Sequence, residues 1–309
     1  MGNCCGCCAE TTSQNPTPTP NPIHNVKKDI REKVDYGSFM NIALKFPHGS
    51  HGVTYNYDQE AFQPCELNEW IQSLYKDAPW TSWLVYNDET SHLGDNTTKK
   101  GHCKGIVAWN DTHMSWLVHS VPNFPREFKG NSISSIEQSE LIYGQSFMYI
   151  TRLMDETFIK LVIGQLYHMQ AHIYIRQNEI MIHQSCKADL MTKVVFSDTV
   201  SHVAKPPYYE IDIYSEYLIG YEPEWQVETW KRGHLIKSTK QITDIEKVCV
   251  NGTEYKDSQD HSKWAISKHY VWIGDLNRMV SQAKRGGGGF IIKHAKMSNA
   301  LRRCIVSAD

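Results

Sequence analysis

The chain has 309 residues, of which 40% are hydrophobic and 21% are charged, and its net charge at pH 7 is -2. This composition is typical of a globular protein, and the length allows one large domain or two half-domains. The near-neutral charge excludes an overall basic field that would attract nucleic acid at neutral pH. Fifteen histidines would raise the charge to about +13 if all were protonated, so binding of a polyanion in acid is compatible with the composition.

The distribution of cysteines and the length of the apolar runs bear on the cellular compartment of the protein. Four of the nine cysteines lie within the first eight residues, and the other five are scattered singly at Cys65, Cys103, Cys186, Cys249 and Cys304. An odd, scattered set does not form a disulfide framework, which favours a reducing compartment. No apolar run reaches the roughly 18 to 20 residues of a membrane span, and no signal-peptide pattern opens the sequence.

Residues 1–8, MGNCCGCC, predict a lipid-modified N-terminus. Gly2 occupies the position that accepts myristate, and Cys4 and Cys5 beside it are candidates for palmitoylation. Two acyl chains anchor a protein stably, so the cytoplasmic face of a membrane is the expected location. Two alternatives stay open, a metal site formed by these cysteines and a tail without a role. Residues 9–25 read as a Pro/Thr-rich linker, and residues 26–309 as the folded domain.

The first half of the domain predicts mainly strands. Residues 39–46 and 83–86 are predicted strands, and residues 66–76 are a predicted helix with one apolar face. The apolar runs 106–109 and 115–118 flank a turn-forming Asn-Asp-Thr, which predicts a β-hairpin. This hairpin would bring His119 back towards His102.

A strand and a helix are predicted to close the first half, and further short elements to follow. Residues 144–153 are the strand, and 155–170 give the clearest helix, with Asp155 as its N-cap. Later residues predict strands at 211–219, 264–267 and 270–273 and a C-terminal helix that runs to residue 303. The glycine run at 286–289 predicts a turn, although glycines also let a backbone approach a ligand closely.

Three His-x-Lys pairs occur, where about one is expected by chance: His102/Lys104, His261/Lys263 and His294/Lys296. Residues two apart on a strand point to the same face, so each pair on a strand would place an imidazole beside a fixed positive charge, which suits a phosphate. The first two pairs are predicted on short strands and are each followed by an asparagine, Asn123 and Asn277. The third is predicted in a helix without a partner asparagine and is interpreted as incidental surface.

The motifs GHCKGIVAW, WLVHSVPNFP, YGQS, QDHSKW, IGDLNR and KRGGGG, in this order, resemble the deoxyribonuclease II family. The resemblance extends from about residue 34 to the C-terminus. It implies an α/β fold with mixed sheets, built as a phospholipase D-like pseudo-dimer with halves at about 34–170 and 171–309. It also implies one shared active site, metal-independent cleavage of DNA to 3′-phosphate ends without a cofactor, and an acid preference.

The resemblance also assigns roles to residues. His102, Lys104, His261 and Lys263 are the expected catalytic set, with His119, Asn123 and Asn277 as supporting phosphate contacts. One histidine would attack phosphorus while the other protonates the leaving oxygen, and which does which stays open. Cys103 alternates to the opposite face of its strand, which predicts a packing role.

This chain departs from the secreted members of the family, which carry disulfides around the YGQ, DHSKW and GDxNR segments. No cysteine stands at those places here, so a lysosomal or secreted location is the alternative and not the preferred one. Two other functions stay open, an inactive nucleic-acid-binding relative and a membrane-anchored phosphodiesterase acting on lipid head groups.

Overall fold

The computed structural model describes residues 39–76, 80–94, 99–180, 190–207 and 209–309. The predicted acylation sites Gly2, Cys4 and Cys5, together with the linker, lie outside these residues and stay predictions. Among the helices that are described, none combines the length and the apolar character needed to cross a bilayer.

The first half of the described chain forms an eight-stranded sheet. Its strands are β1 (Phe39–Lys45), β2 (His51–Asn56), β3 (Ala61–Glu66), β4 (Ser82–Asn87), β5 (Lys104–Trp109), β6 (His113–His119), β7 (Gln145–Leu153) and β8 (Ile173–Gln177). They run in the order β3-β2-β1-β7-β6-β5-β4-β8, and every neighbouring pair is antiparallel. The predicted hairpin is β5–β6, in which Gly105 pairs with Val118 and Trp109 with Met114.

The second half forms a nine-stranded sheet. Its strands are β9 (Thr192–Ser197), β10 (Val200–Lys205), β11 (Trp225–Glu228), β12 (Ile242–Val250), β13 (Thr253–Lys256), β14 (Trp264–Ile266), β15 (Tyr270–Gly274), β16 (Gly287–Lys293) and β17 (Ile305–Ala308). The order is β13-β12-β11-β14-β15-β16-β10-β9, with β17 added on β12. Only the β11–β12 pair is parallel among these described strands.

Four α-helices accompany the sheets within the described ranges: α1 (Leu67–Lys76), α2 (Glu156–His168), the single turn α3 (Val280–Ala283) and α4 (Ala295–Arg302). The predicted helices at residues 66–76 and 155–170 are confirmed as α1 and α2. Asp155 caps α2 as expected, because its side chain accepts a hydrogen bond of 2.8 Å from the Phe158 N–H. Leu161, which shares the helical spacing, nevertheless faces solvent, and the buried side of α2 is formed by its neighbours.

The prediction of a strand at 211–219 is wrong. A π-helical turn at Ile213–Tyr217 and a 3-10 turn at Leu218–Gly220 occupy this stretch. Asp212 caps the first turn by accepting from the Tyr214 N–H, and the Tyr214 hydroxyl donates to the Leu276 carbonyl at 2.7 Å. Capping and this long-range bond outweigh the strand propensity of the β-branched and aromatic residues.

The prediction of a turn at the glycine run is also wrong, since three of its four glycines begin β16. A Cβ on Gly288 would lie 2.2 Å from the Val203 carbonyl oxygen, and one on Gly289 would lie 2.6 Å from the Gly274 Cα. These glycines therefore provide space for close packing of strands rather than the conformational freedom of a turn.

The two sheets share one core. Trp116 from β6 lies against His202 from β10 with ring centroids 4.2 Å apart, and both contact Phe290 of β16. The predicted mixed α/β class with two sheet-containing halves is confirmed. Strand β8 belongs to the first sheet, so the described sheets divide between residues 177 and 192.

Candidate active site

The two His-x-Lys motifs meet at the junction of the sheets. His102 lies two residues before the start of β5, and the His261/Lys263 pair directly precedes β14. The His102 N–H donates to the Gly286 carbonyl at 2.8 Å, and the His261 N–H donates to the Gly144 carbonyl at 2.8 Å. Each histidine is thus fixed by the backbone that precedes a strand of the opposite half. Lys104 is the first residue of β5.

Equivalent backbone carbonyls also orient the two imidazole rings. The Nδ1 of His102 lies 2.7 Å from the Asp275 carbonyl oxygen, and the Nδ1 of His261 lies 2.9 Å from that of Ser120. A carbonyl oxygen only accepts, so each Nδ1 carries the hydrogen and donates. In the neutral ring this leaves the Nε2 lone pair of both histidines available as nucleophile or base.

Lys104 is enclosed by negative charge. Its Nζ lies 2.7 Å from Oδ1 of Asp88 and 3.3 Å from Oε1 of Glu89, while Arg285 donates to Oδ2 of Asp88 at 2.9 Å. Burial by itself lowers the pKa of Lys104, but the two carboxylates outweigh it and hold the pKa above its usual range. Burial likewise raises the pKa of Asp88, and the neighbouring cations more than reverse that effect. Lys104 is therefore a permanent cation.

Lys263 has different surroundings. Its Nζ donates to the His261 carbonyl oxygen at 2.5 Å, and no carboxylate of the described residues lies within ion-pair distance of it. Burial, followed by the positive charge of Lys104, lowers the pKa of Lys263 to about 7. The charge of this lysine consequently depends on pH near neutrality.

Both motif histidines are held neutral by their environment. Burial lowers the pKa of His102, although the carboxylate of Asp88 opposes this. Burial and then the adjacent Lys263 lower the pKa of His261 well below its usual value. Protonation of either ring therefore requires acid, or the arrival of a negatively charged ligand.

Glu89 closes the mouth of this cluster. Its Oε1 lies 3.7 Å from Nε2 of His102 and 3.3 Å from Nζ of Lys104, and its side chain is 40% exposed whereas that of Lys104 is 2% exposed. A carboxylate thus sits against the imidazole and ammonium groups that suit a phosphate. Glu89 is the second residue after β4, where the sequence pattern indicated only the end of a strand.

Ligand atoms of Asp88, Glu89 and His102 all lie within 4.8 Å of one another, which is close enough for a shared cation. The ammonium of Lys104 bonds both carboxylates of this group, and Arg285 takes the remaining oxygen of Asp88. A metal ion bound by these three residues would have to displace the lysine. The cluster is better explained as the counter-charge of Lys104.

The structure buries His119 behind the motif. It ends β6, its Nδ1 accepts from the Val121 N–H at 3.2 Å, and its ring contacts Phe124 and Phe147. Burial and then the charge of Lys104 lower its pKa to about 3, so the ring is neutral. Cys103 is buried in the hydrophobic core, as predicted, and burial raises the pKa of its thiol well above the usual value.

Asn123 holds the loop that carries Glu89. Its backbone N–H donates to the Glu89 carbonyl at 2.8 Å, and its Oδ1 accepts from the N–H and hydroxyl of Ser91 at 2.9 and 2.8 Å. Its Nδ2 donates to Glu140 at 3.1 Å. The two polar ends of this side chain thus bond Ser91 in that loop and Glu140 in another segment.

Asn277 is buried, and its Oδ1 has no hydrogen-bond partner among the described residues. Asn123 lies three residues after Ser120, whereas Asn277 lies two residues after Asp275, so the two asparagines are spaced differently from the carbonyls that orient the histidines.

The third His-x-Lys pair has a structural explanation. His294 is the N-cap of α4, where its Nδ1 accepts from the Met297 N–H at 3.0 Å, and Lys296 forms an ion pair with Glu60. Lys296 is exposed, as expected, whereas His294 is half-buried and its ring contacts Tyr55 and Tyr57.

A family model described as Deoxyribonuclease II matches residues 61–309. The chain belongs to the deoxyribonuclease II family. The match includes both motifs of the site and all strands from β3 onwards, and it confirms the family that the sequence motifs indicated.

Relatives within this family are similar over most of the chain. Cell-death-related nuclease 7 of Caenorhabditis elegans is 29% identical over 258 residues, which cover 74% of this chain and 68% of the relative. Putative deoxyribonuclease-2 of Burkholderia pseudomallei is 29% identical, with 75% and 73% covered. Deoxyribonuclease-2-beta of Mus musculus is 27% identical, with 77% and 74% covered. The predicted class of enzyme, a hydrolase of the nuclease type, is confirmed.

Proposed function

We propose that this chain is an endodeoxyribonuclease that cleaves the phosphodiester bonds of DNA without a metal ion and leaves 3′-phosphate ends. The observation that carries the proposal is the pair of buried histidines from opposite halves. The Nδ1 of each is fixed by a carbonyl, and its Nε2 is left to react. The names of the relatives supply DNA as the substrate.

In the first step, the Nε2 lone pair of one histidine attacks phosphorus, and the P–N bond forms as the bond from phosphorus to the 5′-oxygen breaks. The second histidine, protonated at Nε2, donates that proton to the leaving 5′-oxygen. Lys104 and Lys263 donate hydrogen bonds to the non-bridging oxygens. The product bound to the enzyme is a phosphohistidine whose phosphorus stays attached to the 3′-oxygen of the upstream strand, while the strand with the free 5′-hydroxyl has left.

In the second step, the histidine that gave up its proton takes one from water, and the hydroxide attacks phosphorus. The P–N bond breaks, and its electron pair returns to the nucleophilic imidazole. The phosphate stays on the 3′-oxygen, which accounts for the expected 3′-phosphate ends. A site that contacts the phosphate in this way reads no base edges, so cleavage without sequence specificity follows.

The electrostatics of the two halves favour different roles for the two histidines. The carboxylate of Asp88 lies near His102 and favours its imidazolium form, whereas Lys263 lies beside His261 and opposes protonation. We therefore assign His261 as the nucleophile and His102 as the general acid. Glu89 must be displaced by the incoming phosphate, because it occupies the mouth between the imidazole of His102 and the ammonium of Lys104.

Cleavage of plasmid DNA in excess EDTA between pH 4 and 8 tests this function. We expect nicking that persists in EDTA and increases in acid, with ends that a polymerase extends only after phosphatase treatment.

His102→Ala and His261→Ala should each lower kcat/KM by about 10²- to 10⁴-fold. His294→Ala is the matched control, since removal of this N-cap costs about 1 kcal/mol of stability without touching the site. If EDTA abolished nicking and added Mg²⁺ or Mn²⁺ restored it, the result would instead support a metal site at Asp88, Glu89 and His102.

A further inference from the structure

Two fully buried lysines that the proposed reaction does not use end one strand in each sheet. Lys45 is the last residue of β1, and Lys205 is the last residue of β10. In the described part of the chain, their ammonium groups bond only backbone carbonyls. Burial lowers the pKa of each lysine to about 8, so both keep their charge at neutral pH and in acid. A buried charge is costly unless its bonds are satisfied, so these contacts require an explanation.

In the first half, Lys45 holds the segment that ends at Gly144. Its Nζ donates to three carbonyls, those of Phe46, Gly49 and Leu141, at 2.7, 2.9 and 2.8 Å. An ammonium group has three hydrogens, and all three are used here. The Cα of Lys45 lies opposite that of Gln145 in the β1–β7 ladder. Lys45 therefore holds the backbone on both sides of residues 142–144.

Lys205 repeats this arrangement in the second half. Its Nζ donates to the carbonyls of Tyr209 and Ala283 at 3.0 and 2.8 Å, and its Cα lies opposite that of Gly287 in the β10–β16 ladder. The spacing is the same as in the first half. Each ammonium binds the carbonyl four residues after its own lysine, and also the carbonyl three residues before a glycine, Gly144 or Gly286.

These two glycines are the ones that fix the motif histidines. The Gly144 carbonyl accepts from the His261 N–H, and the Gly286 carbonyl accepts from the His102 N–H, both at 2.8 Å. A Cβ on Gly286 would lie 2.0 Å from the carbonyl oxygen of Met169, so the backbone of this segment is packed closely against its neighbours. A shift of either glycine would therefore move the histidine that it holds.

We propose that Lys45 and Lys205 are positioning residues, each of which holds the motif histidine of the opposite half through one glycine. Lys45 would act on His261, and Lys205 on His102. The inference rests on the proposed function only where it concerns catalysis. Arg285 also anchors the second segment, because its side chain donates to the Lys100 carbonyl at 2.7 Å. The loss of Lys45 should consequently have the larger effect.

Amide hydrogen exchange of the ¹⁵N-labelled full chain tests this proposal without reference to activity. Lys45→Met should lower the protection factor of the His261 amide about tenfold, as expected for the net loss of one hydrogen bond, and leave that of the His102 amide unchanged. Lys205→Met should lower the protection factor of the His102 amide about threefold and leave that of the His261 amide unchanged. The two variants are matched controls for each other, since both remove a buried ammonium from the same kind of site.

Equal losses of protection at both amides would show that the lysines only stabilise the fold, and unchanged protection would show that they hold neither histidine. Either result would overturn the proposal. If a methionine variant does not fold, Lys45→Gln and Lys205→Gln keep two donors without the charge, and the same pattern across the halves is required of them.

Cleavage kinetics connect the positioning to the proposed reaction. Since neither buried lysine touches DNA, each substitution should lower kcat about tenfold and leave KM within about twofold. A higher KM at unchanged kcat would mean that the lysines act on DNA binding, and it would overturn their positioning role. Loss of protection in the expected pattern with unchanged kcat would support the positioning of the histidines and contradict their role in the proposed reaction.

Discussion

The two His-x-Lys motifs have the same backbone frame and opposite electrostatics. His102 and His261 each receive a carbonyl at the N–H and another at Nδ1 from the opposite half. Lys104, however, has two carboxylate partners, whereas Lys263 bonds only a carbonyl oxygen among the described residues. The two halves thus place two imidazoles in similar backbone frames, and in the proposed mechanism the unequal acidic residues let one act as acid and the other as nucleophile.

The largest difference between the two motifs is expected in how much each lysine contributes to the stability of the fold. Replacing Lys104 by Met removes the shorter of the two ion pairs that Asp88 forms with Lys104 and Arg285, so the free energy of unfolding should fall by about 3 to 5 kcal/mol. Lys263→Met removes a buried ammonium that pairs with no carboxylate in the described part of the chain, and it should leave stability unchanged or raise it. Urea unfolding curves of both variants give the comparison, and equal losses would show that the two lysines are electrostatically equivalent.

A smaller effect is expected in the pH profile. Burial lowers the pKa of Lys263 to about 7, so this lysine loses its positive charge above neutrality. The general acid His102 must also be protonated, and its pKa is lowered too, so kcat/KM should fall about tenfold per pH unit below neutrality and more steeply above it. Arginine keeps its charge throughout this range, so Lys263→Arg should remove the steeper part and leave the tenfold slope. Lys104→Arg should leave the profile unchanged, because the carboxylates already keep Lys104 charged. A steep part that remains in Lys263→Arg would assign it to another group.

The smallest effect is expected at Glu89. Glu89→Gln removes the negative charge that competes with the substrate phosphate, and because the carboxylate is partly exposed the KM for DNA should fall only about two- to fivefold. Glu137→Gln serves as the control, since Glu137 pairs with Arg126 at 3.2 Å on the surface. A higher KM in Glu89→Gln would mean that this carboxylate assists binding instead of opposing it.

The sequence predicted the elements that depend on neighbouring residues. The hairpin β5–β6 follows from its turn residues, and the start of α2 follows from Asp155. His102 and His261 could also be selected from the sequence, because they lie within the ordered family motifs and His294 does not. Local patterns are sufficient in each of these cases.

The contacts that complete the site were not predictable in this way. His102 is oriented by the carbonyl of a residue 173 positions away, and His261 by one 141 positions away. Glu89 follows a strand where the pattern indicated only its end, and the glycine run forms strand β16 because of neighbours from distant segments. Contacts to backbone carbonyls and close strand packing depend weakly on residue type, so the sequence does not reveal them.

The division of labour between the two histidines is tested most directly with a DNA strand whose scissile 5′-oxygen is replaced by sulfur. A thiolate leaves without being protonated, so the general acid becomes dispensable while the nucleophile does not. We predict that His102→Ala recovers most of its lost cleavage rate on this substrate and that His261→Ala stays inactive. Recovery by His261→Ala instead, or by neither variant, would contradict the roles assigned to the two halves.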